Sequence, residues 1–398
     1  MENKILAINA GSSTLKFQLY SMPSEKLLAK GMIDKIGKED AEFVLKTDNK
    51  RHRQENIELN SPHEAIDFLL EQLKYHQAIS CIAEIKSVAH RVAHGGENFT
   101  QSVSITNDVI EQLETLIELA PLHNPVNIAF IKAMADKLPQ VEQIAVFDTS
   151  FHQSIKKEHF LYAIPYHFYQ DDHIRRYGFH GTSHKYVSQV CAEQMNKPLA
   201  ELKIISCHLG SGASICAIDK GYSVNTSMGF TPMAGLMMGT RCGDIDPSIL
   251  VFLTKKYHLS IDDLNQIMNS KSGLLGLSGI SNDCREVESA AKQGNERAQI
   301  ALEIFIQRIR DFIGSYLIQM GGADVILFTG GIGENSDYIR AAVCKDLEGI
   351  GIELNEKLNQ AKQTFIHTQN SRVKLAIINT NEELMMTREA FNIVFNKS

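Results

Sequence analysis

The chain has 398 residues, 22% of them charged and 43% hydrophobic, and its 40 Lys and Arg against 47 Asp and Glu give a formal charge of −7. That balance fits a globular protein with a large core and excludes a disordered or collagen-like chain. It also argues against a general nucleic-acid or anionic-membrane surface, so any anion site has to be local.

The elements follow in chain order. Ile5–Ile8 is a short apolar run that reads as a buried strand, ending on Asn9-Ala10-Gly11-Ser12-Ser13-Thr14-Leu15-Lys16-Phe17. A helix is predicted to open at Ser61, with Pro62 in the first turn, Glu64 completing a capping box, and Ile66, Leu69, Leu70 and Leu73 on one face. A second runs from Asn107 to about Ala120, with Ile110, Leu113 and Ile117 on its apolar face, and stops before Pro121. Gln143–Phe147 and Lys203–Cys207 read as buried strands. The longest helix spans about Asn295–Met320, carries Ala301, Ile304, Phe305, Phe312 and Tyr316, and ends at Gly321-Gly322. Asp324–Phe328 and Lys374–Ile378 complete the strands.

Each strand ends on a Gly, Asp, Ser, Thr or His cluster, which puts polar groups where open α/β sheets bind ligands. The class is α/β, and the length predicts two domains, or one large domain with insertions. Seven cysteines, odd in number and without a CxxC pair, argue against a disulfide framework or a cysteine zinc site and predict a reducing, cytoplasmic setting. The N-terminal apolar run is too short for a secretory leader, and the stretch 228–239 is too interrupted for a membrane span.

One internal similarity stands out. Residues 8–17 and His208-Leu209-Gly210-Ser211-Gly212-Ala213-Ser214-Ile215-Cys216 both read as strand, Gly/Ser turn, strand, as if one hairpin were used twice; two unrelated hairpins is the competing reading. Gly-Ser turns followed by Lys16 suit phosphate, although neither GxxxxGK[ST] nor GxGxxG is present. A further glycine turn, Thr329-Gly330-Gly331-Ile332-Gly333-Glu334-Asn335, follows a strand and suits a nucleotide. Arginines on polar loops, Arg91, Arg176 and Arg241, suit bidentate recognition of phosphate or carboxylate. His180 and His184 have i, i+4 spacing, but Gly-Thr-Ser between them is a poor helix interior and offers no Glu, so a zincin site is improbable. Ser12, Ser13 and Asp148 without a GxSxG elbow make a weak serine hydrolase.

Taken in order, Asn9-Ala10-Gly11-Ser12-Ser13-Thr14-Leu15-Lys16, His90-Arg91-Val92, Pro121-Leu122-His123-Asn124-Pro125, Phe147-Asp148-Thr149, Gly178-Phe179-His180-Gly181-Thr182-Ser183-His184, Met238-Gly239-Thr240-Arg241, Asp283-Cys284-Arg285, Gly330–Asn335 and Thr380-Asn381-Glu382-Glu383-Leu384 closely resemble the acetate kinase family over nearly the whole chain. The resemblance implies a duplicated actin-like, ribonuclease H-like ATPase fold, with two domains around a nucleotide cleft. It places residues 1–149 and 385–398 in the N-terminal domain and 150–384 in the C-terminal one.

It also implies reversible phosphoryl transfer between ATP and acetate, giving ADP and acetyl phosphate by direct in-line transfer, with magnesium (or manganese in its place). A cytoplasmic homodimer without nucleic-acid or membrane partners goes with it. In this sequence Arg91, Asp148, His180 and Arg241 match the family's catalytic positions. Arg91, Ala93, Leu122, His123, Phe179 and Pro232 match the substrate positions. The nucleotide positions fall on Ser12, Lys16, His208, Leu209, Gly210, Ser211, Gly212, Asp283, Cys284, Arg285, Gly331, Ile332, Gly333, Glu334 and Asn335, and the metal positions on Asn9 and Glu382.

Two residues depart from the family pattern. Ser211 stands where the turn usually has Asn, and Ala93 where acetate kinases commonly have Val. The smaller Ala93 leaves room for one more methylene, making propionate a second expected acceptor. On fold alone an actin- or chaperone-like ATPase switch is the rival; the two arginines with His123 and His180 favour an anionic acceptor.

Overall fold

The computed structural model describes residues 2–48, 50–121 and 123–396, so the substrate position Leu122 lies outside the described residues. In the first sheet, β1 (Asn3–Ala10), β2 (Leu15–Met22), β3 (Lys26–Asp34), β4 (Ala41–Thr47) and β5 (Lys50–Ile57) form an antiparallel meander. β6 (Ile85–Val92) adds parallel to β1, β8 (Glu142–Phe147) adds parallel to β6, and the short β7 (Val103–Ser104) closes that edge. In the second sheet β9 (Lys203–Leu209), β10 (Ala213–Asp219) and β11 (Tyr222–Thr226) are antiparallel, then β12 (Val325–Thr329) and β13 (Lys374–Ile377) follow parallel to β9.

Their orders are β5-β4-β3-β2-β1-β6-β8-β7 and β11-β10-β9-β12-β13. Without β4, β5 and β7 the first sheet reads β3-β2-β1-β6-β8, the same sequence of antiparallel and parallel neighbours as the second. The two hairpins seen in the sequence, β1-β2 and β9-β10, occupy equivalent places. Duplication therefore accounts for them better than chance does.

The chain divides into two compact units, one made of residues up to 151 with 381 onward, the other of 152–380. The second boundary falls earlier than the 384/385 expected from sequence. The helix Glu382–Phe395 packs on β1, β2, β6 and β8, so Glu382 belongs to the first unit. Each unit has its own apolar core: Leu15, Phe17, Phe43 and Leu45 lie against Ile66, Leu69 and Leu70 in the first, and β9, β10 and β12 lie against the long helix Glu296–Met320 in the second. Central strands such as β12 are buried at every residue, which is why they read as unbroken apolar runs. Among the described residues no helix is long and apolar enough to cross a membrane.

Four helix expectations change in detail. Glu64 reaches back to the Asn60 N–H (2.8 Å) instead of Ser61, while Ser61 accepts from Glu64 N–H as expected. The helix from Asn107 stops at Thr115, because Leu116 leaves helical geometry (φ −91°, ψ 6°) and packs over Gly96; a tight 3₁₀ turn, Ile117–Leu119, follows. Ile304 is 37% exposed, since the buried stripe of its helix runs through Ala301, Leu302, Phe305 and Ile309. Finally, Gly181-Thr182-Ser183 is not a helix interior but the first turn of the helix Gly181–Met195.

Candidate active site

In the first unit three carboxyl strand ends meet. Arg91 is the penultimate residue of β6, Asp148 follows β8, and Asn9 lies near the end of β1. Arg91 donates from Nε (3.0 Å) and Nη2 (2.5 Å) to Asp148 Oδ2, and from Nη1 to Asn9 Oδ1 (3.1 Å). Asp148 is 2% exposed, so its charge is held in place by that guanidinium, whose own pKa is raised chiefly by Asp148. Burial pushes the Glu382 carboxyl up to about 7; Arg91 and Lys16 oppose the rise, and Asp148 and Glu383 add to it.

Asn9, Asp148 and Glu382 offer oxygen donors only. Crowded carboxylates of this kind are relieved by a hard divalent cation, and magnesium, which keeps most of its waters, needs only one or two protein carboxylates. Among the described residues no group of three or more His, Cys, Asp or Glu side chains converges into a metal cage. The donor set thus fits a magnesium ion held partly by substrate, with Asn9 and Glu382 the candidate protein ligands.

The turn after β6 is fixed by a residue with no motif around it. Asn127, on the helix Asn124–Lys137, accepts from Ala93 N–H (3.1 Å) and donates to Ala10 O (3.0 Å), tying the substrate turn to the end of β1. Ala93 is half-buried; His123 is exposed at the start of the same helix, and Ser12 and Lys16 are exposed on the β1-β2 turn and at the start of β2.

Around β9 and β10 the second unit gathers imidazoles. His180 sits in the left-handed region (φ 56°) immediately before its helix. The preceding Gly178 (φ 76°) lies where a Cβ would collide with Thr226 and His152. His180 Nδ1 lies 2.9 Å from Ser214 Oγ, which also contacts His184 Nε2 (2.8 Å); His184 Nδ1 meets Ser206 Oγ (2.8 Å). His208 stacks on His180 at 4.2 Å and is bound through Nδ1 to Ser183 Oγ (2.8 Å). His152 bonds Ser223 Oγ (2.8 Å) and the Phe179 carbonyl (3.0 Å), fixing the backbone just before His180.

Burial, and the neighbouring His152 and His208, push His184 well below the ordinary histidine pKa, so it stays neutral. His180 Nε2 and Arg241 Nη1 both lie beside Gly212, at 3.5 and 3.6 Å from where its Cβ would be. Arg241 donates to Pro232 O (3.1 Å), so the substrate position Pro232 anchors it through its carbonyl. Among the described residues it has no carboxylate partner, and burial lowers its pKa.

A cavity of about 710 Å³ in this unit brings together Gly210, Ser211, Asp283, Cys284, Arg285, Gly331, Ile332 and Asn335 from the sequence-predicted nucleotide set, and adds Asn282, Glu288, Ser336 and Asp337. Arg285 holds the Asp283 carboxyl down at about 2. Leu209 is fully buried in β9, and Gly333 and Glu334 lie behind the glycine turn and not in the cavity wall. Glu334 Oε1 accepts from Gly330 N–H (3.0 Å) and Thr380 N–H (3.1 Å), stapling the turn to the segment that follows β13. Gly330 (φ 76°) lies where a Cβ would come within 2.8 Å of Leu209 O, so the two glycine turns approach backbone to backbone.

Sequence reasoning also missed Arg340. It is fully buried and grips Gly333 O (2.7 Å), Asn359 Oδ1 (2.7 Å) and Asn359 O (3.1 Å).

Residues 4–388 match the model of the Acetokinase family. A propionate kinase of Citrobacter rodentium is 52% identical over 393 residues, covering 99% of this chain and 97% of its own. Acetate kinase 1 of Listeria monocytogenes is 52% identical over 387 residues, covering 97% of each. The crystal structure of Porphyromonas gingivalis acetate kinase superposes with a TM-score of 0.95 at 41% identity, covering 98% of this chain and all of that one. With the same strand order in both sheets and the glycine turns of the second unit gathered round one cavity, these likenesses place the chain in the acetokinase family, as an acetate/propionate-type carboxylate kinase with the duplicated actin-like ATPase fold.

Proposed function

We propose that the protein transfers the γ-phosphoryl group of ATP reversibly to acetate, and to propionate as a second acceptor, by direct in-line displacement. The observation that carries this reading is the pair of arginines: Arg91, oriented by Asp148, and Arg241, desolvated without a carboxylate partner. Each suits a different anion of a reaction that brings a carboxylate and a triphosphate together.

In the step proposed, a carboxylate oxygen forms a bond to the γ-phosphorus as its bond to the β–γ bridging oxygen breaks, and ADP leaves with the electron pair. No proton has to be taken from a carboxylate nucleophile. Asp148 therefore acts by holding Arg91, not as a base. His180 Nε2 and Arg241 stabilise the equatorial oxygens of the transferring group, and the 710 Å³ cavity holds the nucleotide. Asn9 and Glu382 would hold magnesium, or manganese in its place, which when bound would neutralise phosphate charge.

Ala93 supports propionate, since the smaller side chain leaves room for one methylene. The test is acyl phosphate trapped with hydroxylamine from Mg-ATP and acetate, propionate, butyrate or no acid. Product with the two shorter acids is expected. ATP hydrolysis independent of acid would overturn the reading.

A second copy of the chain is the partner we propose for the helix Ser248–Tyr257. It carries Ile249, Leu250, Val251, Phe252 and Leu253 yet buries none of its ten residues. Phe252, 58% exposed, is the natural probe: Phe252→Glu should give a monomer by light scattering, and an unchanged mass would move the interface elsewhere. Seven free thiols support a cytoplasmic setting.

A further inference from the structure

The meander β2–β5 carries a charge pattern that the kinase reaction does not use. Along these strands, alternate residues face the core: Phe17 and Leu45 are buried against the helix Pro62–Tyr75. On the other face the register sets Gln18 opposite Lys30, Lys30 opposite Lys46, and Lys46 opposite Arg51. Three cations thus stand in one row across three strands, an arrangement that like-charge repulsion disfavours.

Nearby cations on the same strands and turns are neutralised. Lys35 pairs with Asp40 and Glu42 (both 2.8 Å), and Arg53 with Glu42 (2.9 Å) and Glu55 (2.8 Å). Among the described residues no carboxylate pairs with Lys30, Lys46 or Arg51. Protection of a sheet edge explains charge on β5, which is the edge strand, but β3 and β4 are interior strands and need none. A cavity of about 320 Å³ opens over the row, its wall including Lys16, Lys30, Met32, Lys46 and Arg51, together with Glu383, whose carboxylate accepts from Gln18 (3.0 Å).

We propose that this row is a binding site for a linear oligophosphate, separate from the nucleotide cavity of the second unit. Adjacent strands lie about 4.8 Å apart, so the row spans roughly 10 Å from Lys30 to Arg51 in a direction perpendicular to the strands. A chain bearing charge along its length meets all three cations at once, whereas a compact monoanion meets one or two. Lys and Arg donate charge-assisted hydrogen bonds to phosphate oxygens, and Met32 lines the same cavity as the lysines. The chain is either free or the tail of a nucleotide.

The test is calorimetric titration of the full-length protein, with ADP saturating the nucleotide cavity and ionic strength fixed. One arm uses inorganic tripolyphosphate and the other a nucleoside triphosphate. One tripolyphosphate site is expected, weakened at least tenfold in Lys30→Glu and in Lys46→Glu, while acyl phosphate formation stays within twofold of the parent. Tighter binding in the nucleotide arm identifies a nucleotide tail as the source, and equal or weaker binding identifies the free chain. Arg51→Gln, an exposed change on the edge strand, gives the same readout if a lysine variant fails to fold. No tripolyphosphate heat in the parent protein, or an affinity unchanged in the folded variants, would overturn the proposal.

Discussion

The two units share one strand order but place different chemistry at equivalent strand ends. In the first, polar groups at the ends of β1, β6 and β8 form an ion-pair cluster, with Arg91 locked between Asp148 and Asn9. In the second, Ser206 of β9 and Ser214 near the start of β10 support a ladder of hydroxyls and imidazoles running Ser206, His184, Ser214, His180, with Arg241 left, among the described residues, without a carboxylate. Duplication thus supplied the scaffold twice, and only side chains at the strand ends separate a cluster that stores fixed charge from one that offers hydrogen-bond donors.

The largest effects should come from the two arginines on which that contrast turns. Arg91→Ala and Arg241→Ala are each expected to lower kcat by about a hundredfold to a thousandfold, the usual cost of one charge-stabilising group. They should differ in one respect. Arg91→Ala strands the buried Asp148 carboxylate and should also destabilise the first unit, whereas Arg241→Ala removes a cation whose partners among the described residues are a carbonyl and a thioether. Kinetics together with denaturant unfolding of both variants checks this; equal unfolding midpoints would break the contrast.

The imidazoles sharpen it through pH. Burial depresses His90 and His94, in the first unit, to about 4, and holds His184, in the second, well below the ordinary histidine value. Each therefore takes up a proton more readily when unfolded, near 6.5, than when folded. Their stabilising contribution is complete above about pH 6.5 and is lost as pH falls toward 4, by at most about 3 kcal/mol per group. Unfolding free energy measured between pH 7.5 and 4.5 should decline across that window. A flat profile would mean that these side chains protonate without cost in the fold.

A smaller effect is expected at Ser214, whose hydroxyl joins His180 to His184. Ser214→Ala removes that link without touching substrate, and should lower kcat by about tenfold, the worth of one buried hydrogen bond, with little change in KM for the acid. A change in KM alone would mean that the hydroxyl does not orient His180.

How much of this was legible in the sequence depended on how local the signal was. Strand ends were readable because each apolar run stops at a Gly, Asp or His cluster, and the helix Glu296–Met320 because Asn295 and Gly321 punctuate it. Asn127 and Arg340 were not, since a single polar residue in a helix has no motif and its partners Ala10, Gly333 and Asn359 lie far away or on another element. The helix Ser248–Tyr257 is a different case: Ile249–Leu253 is an unbroken apolar run, and yet none of the helix's residues is buried. The row Lys30, Lys46, Arg51 exists only through strand register, which no single strand encodes.

The smallest predicted effect concerns acceptor choice, within the first unit alone. Ala93 is held by Asn127 at the turn after β6, so its position is fixed and only its bulk is free to vary. Ala93→Val adds two methyl groups where the alkyl end of the acid is proposed to sit. Burial of one methylene is worth about 0.8 kcal/mol, so the acetate-to-propionate ratio of kcat/KM should rise by about fourfold. Turnover with acetate should be unchanged, because the substitution alters no hydrogen-bonding group. An unchanged ratio would mean that neighbouring side chains already fill the space beside Ala93 and that selectivity is set elsewhere in the pocket.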